Sequence, residues 1–154
     1  MSQDQFLTVI DRDEAERRFR GALRLKPLGA ERVSIDKALG RVLAEDVVSR
    51  VDVPSFDRSN FDGYAVRAAD TFGAQEEQPR RLRLLEETAA TGVVPGSEVS
   101  PGTAMPIATG GMLPRGADAV AMVEHTDLDG DDLLVTKAVS AGFGVSFAAT
   151  DVAA

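Results

Sequence analysis

Residues 55–66, SFDRSNFDGYAV, concentrate the groups most able to do chemistry. Asp57 and Asp62 supply carboxylates, Arg58 a cation, Ser59 a hydroxyl and Asn60 an amide. A carboxylate on a rigid loop can orient a metal, a water or a polar group of a ligand. The same residues also suit an ordinary turn. Asp62-Gly63 is a turn dipeptide, because both residues tolerate positive φ; Asp57 can form an Asx-turn, and Ser59 a weaker version of it. Phe56 and Phe61 bracket the polar run. They predict a loop anchored at both ends, with Arg58 and the two Asp displayed on a fixed scaffold. On spacing alone both readings stand.

A second candidate is IATGGMLPRGADAV at 107–120. Thr109 precedes Gly110-Gly111, whose backbone amides could approach an anion closely. There is no Gly-Lys-Ser/Thr, so it is not a P-loop. A Gly-Gly turn and a Pro-Arg-Gly-Ala-Asp turn between two strands account for the pattern. DLDGDDL at 127–133 spaces acids like a calcium loop, but the sixth position is Asp132 where glycine is needed, and the twelfth is Ala138 where Glu is needed. A hairpin turning at Asp129-Gly130 explains it better. His125, the single histidine, has no Ser or Cys nucleophile motif beside it and is placed at a strand end next to Glu124.

These groups need elements to hold them. Residues 11–27, DRDEAERRFRGALRLKP, predict a helix with Ala15, Phe19, Ala22 and Leu23 on one face. Asp11 or Asp13 caps it, Glu–Arg pairs cover the solvated face, and Pro27 stops it. SIDKALG at 34–40 predicts a short helix ended by Gly40. The Val-rich stretch 41–54 reads as extended up to Pro54. Beyond Pro54, Pro and Gly recur between short apolar runs: YAV, RLRLLE, AMPIA, DAVAMVE and DLLVTKAV. That punctuation predicts a small β unit with tight turns. VPGSEVSPG at 94–102 is read as a loop inside it.

Composition narrows the function. The chain has 154 residues, enough for one domain or two small ones, and 44% of them are hydrophobic, enough for a core. A formal net charge of -8 disfavours binding to phosphate backbones, so no nucleic-acid partner is expected. The absence of cysteine excludes disulfides, zinc thiolate sites and Cys nucleophiles. No signal-peptide pattern and no bilayer-length apolar run is present, so no membrane partner and a cytoplasmic location are expected.

The two motifs together resemble one family. VPSFDRSNFDGYAVRAAD at 53–70 is similar to its pattern Pro-x-Phe-Asp-x-Ser-x-Met-Asp-Gly-Tyr-Ala, with Phe61 in place of Met. GTAMPIATGGMLPRGADAVAMVEHT at 102–126 is similar to its second motif, and DKALGRVLAEDVVS at 36–49 to the segment before the first. The family is molybdopterin molybdenumtransferase, MoeA, with the gephyrin E domain among its eukaryotic relatives. The likeness runs over about residues 10 to 140 and is confined to the family's N-terminal region. It implies a β-rich α+β fold: a helical and extended stalk, residues 1–47 with a returning tail at 141–154, plus a compact β-barrel-like domain at 48–140. It implies a role in molybdenum cofactor synthesis, the insertion of molybdate into adenylated molybdopterin with release of AMP and with Mg²⁺, in a homodimer. Carried over residue by residue, it makes Asp62 and Thr109 the catalytic pair and Asp57, Ser59 and Gly110 substrate-binding, and names no metal ligand. FGVSFAATDVAA at 143–154 departs from the family's Asn-Ile-Arg-x-x-Gly-Glu-Asp segment and keeps only Asp151. The family's later domains have no counterpart in these residues, so the chain alone is expected to be inactive. The alternative expectation is a non-catalytic dimerisation or ligand-sensing module.

Overall fold

A computed structural model of the chain describes residues 10–26 and 28–154. They fall into two compact units, Met1–Val47 and Val48–Ala154.

In the first unit, helix α1 spans Arg12–Ala22. It starts where predicted, because Asp11 caps it by accepting the Glu14 amide at 2.8 Å. Glu14 pairs with Arg17 and Arg18, and Glu16 with Arg20, as the charge spacing requires. The helix ends at Ala22, with Leu23 extended. Pro27, the predicted stop, lies outside the described residues. The segment 34–40 forms only a 3₁₀ turn, Ile35–Lys37. No described residue of this unit is buried.

The second unit carries the strands. They are β1 (Arg58–Ser59), β2 (Gly63–Val66), β3 (Arg80–Leu84), β4 (Thr103–Ile107), β5 (Ala119–Met122), β6 (Thr126–Asp129), β7 (Asp132–Val135) and β8 (Val145–Ser146), with a one-turn helix α2 at Ala68–Thr71. Six of them form a half-barrel sheet in the order β5-β2-β4-β3-β7-β6. The β3–β4 pair is parallel and the other pairs are antiparallel. β1 and β8 form a separate antiparallel pair.

Period-two alternation divides the core between the two faces. Val66, Ala104, Ala119, Ala121, Leu133 and Val135 join one cluster, and Ala65, Met105, Ile107 and Val120 the other. Small residues dominate β2 and β5 because both faces of these strands are covered. The hairpin β6–β7 turns at Gly130-Asp131, since Asp129 pairs directly with Asp132, one residue later than the Asp129-Gly130 reading. The Val-rich run before Pro54 builds no strand; its one pairing is the bridge between Val53 and Val152. The tail from 141, expected with the stalk, groups with the second unit instead. Its hydrogen bonds there include Asn60 N to Gly144 O at 2.8 Å and Asp151 N to Val53 O at 2.9 Å.

Candidate functional site

Asp62 stands immediately before β2, and Thr109 two residues past the end of β4. These strands are antiparallel with Gly63 opposite Ile107. The start of one therefore meets the end of the other, and residues 47 apart in sequence become neighbours. The Thr109 amide donates to Asp62 Oδ1 at 2.7 Å, and the Thr109 hydroxyl donates to the same oxygen at 2.9 Å. These two donors, the amide first, hold the Asp62 carboxyl below its ordinary pKa. The side chains are exposed, so the carboxylate is ionised and open to a ligand.

A backbone ladder fixes the rest of the two motifs. Ser59 N donates to Gly111 O at 3.0 Å, Gly110 N to Ser59 O at 2.8 Å, and Leu113 N to Asp57 O at 2.9 Å. The amides of Gly110 and Gly111 are spent, the second on Ala108 O at 2.8 Å. Gly111 must be glycine, because a Cβ there would lie 2.3 Å from Ala89 O. The Ser59 side chain is buried and makes its predicted local turn, donating to Phe61 O at 2.6 Å and accepting from Phe61 N at 3.2 Å. Asp57 makes no Asx-turn. Its Oδ1 accepts the amide of Ala148 at 2.8 Å, so it ties the loop to the tail.

Two further expectations change. Gly63 does not take positive φ. It is required because a Cβ there would sit 2.1 Å from Ala121 O, where β5 presses against β2. Phe61 is no core anchor: it is 37% exposed and tilts against Phe143 at a centroid distance of 6.1 Å.

Asp62 lines an open, shallow cleft of about 270 Å³ with Gly63, Tyr64, Thr88, Pro106 and Val123. Thr109 meets it through its bonds to Asp62. Asp57, Ser59 and Gly110 do not line it. No group of three or more His, Cys, Asp or Glu able to hold a metal exists among the described residues. In the acidic hairpin Arg81 binds Asp132 at 2.8 Å and Asp129 at 2.5 Å, and its own pKa rises in consequence. His125 follows β5 in a 3₁₀ turn, with Lys137 Nζ 3.5 Å from its Nε2.

Two residues beside the cleft were not singled out from the sequence. The Glu87 carboxylate accepts the amides of Gly96 and Ser97, both at 2.7 Å. The Thr91 hydroxyl donates to Thr109 O at 2.8 Å. The only available signal was an acid placed before a Pro-Gly-Ser turn whose amides need acceptors.

Residues 10–154 match the family described as the MoeA N-terminal region (domain I and II). Over 120 residues, 77% of this chain, the sequence is 43% identical to the molybdopterin molybdenumtransferase of Bacillus subtilis and covers 27% of that protein. The enzyme of the same name from Staphylococcus aureus is 36% identical over 114 residues, again with 27% of its length covered. The chain thus spans about a quarter of these relatives. A crystal structure of the molybdopterin biosynthesis moeA protein from Pyrococcus horikoshii OT3 superposes with a TM-score of 0.73 at 43% identity, over 79% of this chain and 32% of that one. No described helix is long and apolar enough to cross a membrane.

Proposed function

The chain belongs to the MoeA family, involved in molybdenum cofactor biosynthesis, as its N-terminal region, and from that premise we propose that it supplies one wall of the site where molybdate enters adenylated molybdopterin. The observation that carries the reading is the ionised Asp62 carboxylate, held by two donors of Thr109 at the edge of an open cleft. Both donors go to Oδ1, which leaves Oδ2 available to a ligand. Asp62 then orients a polar or cationic group of the reacting complex, and Thr109 fixes the carboxylate's direction. Asp57, Ser59 and Gly110 serve this pair by positioning the loop; their polar groups are spent on the ladder, the turn and the tail.

Mg²⁺ fits this site only in part. It commonly binds through one or two carboxylates with substrate phosphates and retained waters. Among the described residues Asp62 is the one carboxylate that lines the cleft, so the remaining ligands would come from substrate and solvent. When bound, Mg²⁺ offsets phosphate charge that the chain's net charge of -8 would repel. The homodimer expected from the resemblance and the cytoplasmic setting expected from the sequence belong to this proposal.

The 154 residues alone are expected to be inactive, because a large pterin nucleotide needs a walled site of convergent polar groups, and this cleft is open on one side. A second reading, a dimerisation or ligand-sensing module, draws on the apolar side chains that residues 10–47 leave exposed, such as Leu28, Ile35, Leu39 and Val42.

One assay separates the two. A full-length protein of the family carrying this chain as its N-terminal region is given adenylated molybdopterin, molybdate and Mg²⁺, and AMP release is followed. Asp62→Asn should lower turnover by about 10²–10³-fold with folding intact. Unimpaired turnover removes Asp62 from the chemistry and leaves the module reading.

A further inference from the structure

Loop 88–97 reaches the cleft through Thr88 and is pinned at two points. At its far end, Glu87 grips the amides of Gly96 and Ser97. At its near end, Ala89 N donates to Pro106 O at 2.8 Å and Ala108 N to Ala89 O at 3.1 Å, which lays the loop's root along the end of β4. Thr91 then donates its hydroxyl to the carbonyl of Thr109. Thr109 is held from both sides: its amide and hydroxyl by Asp62, its carbonyl by Thr91. The peptide that follows packs against the same side chain, since a Cβ on Gly110 would lie 3.6 Å from Thr91 Oγ1 and 3.7 Å from its Cγ2.

We propose that Thr91 is a positioning residue for the Asp62–Thr109 pair, and that Glu87 closes the loop that carries it. Thr91 touches no ligand. It fixes the rotation of the Thr109 backbone and so the direction of both donors on Asp62. The two hydrogen bonds that lower the Asp62 pKa depend on that rotation. Glu87 acts one step further back, by keeping loop 88–97 from swinging away from β4.

The inference rests on Asp62–Thr109 being the working face of the cleft, but its test needs no turnover. The Asp62 carboxyl is followed by NMR across pH in the 154-residue chain. Thr91→Val, which keeps shape and loses the hydroxyl, should raise the Asp62 midpoint by about half a pH unit or more. It should also speed hydrogen exchange of the Thr109 amide by about tenfold. Thr91→Ser, which keeps the hydroxyl, should titrate like the unmodified chain. Glu87→Gln should shift the midpoint in the same direction by less. If Thr91→Val fails to fold, Thr91→Ala is read in its place; Thr91 is exposed and fills no core position. An Asp62 midpoint unchanged in the hydroxyl-less variant overturns the proposal. Normal turnover of Asp62→Asn would overturn the catalytic reading and leave the latch untouched, so the two failures are distinct.

Discussion

Residues 10–47 and 48–154 use similar apolar side chains to opposite ends. In the second unit, alternating residues on paired strands reach two separate clusters, and Val66, Met105, Val120, Leu133 and Val135 lose all contact with water. In the first, Phe19 on α1 stays 66% exposed and Ile35 93%. Its helix is held by a cap and by Glu–Arg pairs, each of which contributes well under the amount of a buried Leu. Hydrophobic residues at the right period form an element in both units. Only where a second layer covers that element do they form a core.

The largest expected effect tests that difference directly. Leu133→Ala should cost about 2–5 kcal/mol of stability, because a fully buried side chain leaves a cavity as well as losing its transfer energy. Phe19→Ala removes a larger side chain, yet should stay within about 0.5 kcal/mol. Denaturant unfolding of the whole chain measures both. Equal losses would show that α1 is buried in solution.

A smaller effect sharpens the account of Gly63, which lines the candidate cleft. Gly63→Ala should destabilise by about 1–3 kcal/mol, because its Cβ meets the Ala121 carbonyl in a sheet that has no room to shift. Gly130→Ala, where a Cβ meets nothing within 4 Å, is strained only by its turn. Melting curves that place Gly63→Ala level with the unmodified chain would end the close-approach explanation.

The strands of the second unit were legible because period-two alternation and Pro/Gly punctuation act locally. The meeting of Asp62 with Thr109 was not legible from spacing. It depends on the β2–β4 register, and only the resemblance of both motifs to one family pointed to it. Asp57 was read as a local turn former because its partner, Ala148, lies 91 positions away. Gly63 was read through its conformational freedom, while its real constraint is a carbonyl on another strand. Thr91 and Glu87 sit in a stretch that looks like any polar loop, and their roles are set by backbone groups that every residue carries.

The smallest expected effect concerns pH and separates the two units without mutation. Glu87 has its pKa lowered, by hydrogen bonds from the Ser97 side chain and from the backbone amides of Gly96 and Ser97. Asp62 is lowered by Thr109. A carboxyl whose folded pKa lies below its unfolded one contributes stability that is present above the unfolded value and is lost as pH falls through the folded one. Both latches of the cleft are therefore closed at neutral pH and should open only below the ordinary carboxylate range. Asp62 is exposed and Glu87 only partly buried, so the consequence is local loosening and not unfolding of the sheet. Hydrogen exchange at Gly96, Ser97 and Thr109 should quicken on acidification below that range, while Leu133 and Val120 in the core stay protected. Raising the salt concentration should act the other way round. It weakens the exposed Glu–Arg pairs of α1 and leaves the backbone-held carboxylates in place. Simultaneous loss of protection at the loop and in the core would show that the latches hold the whole sheet, and the cleft would then be a stabilising feature of the fold as well as a candidate site.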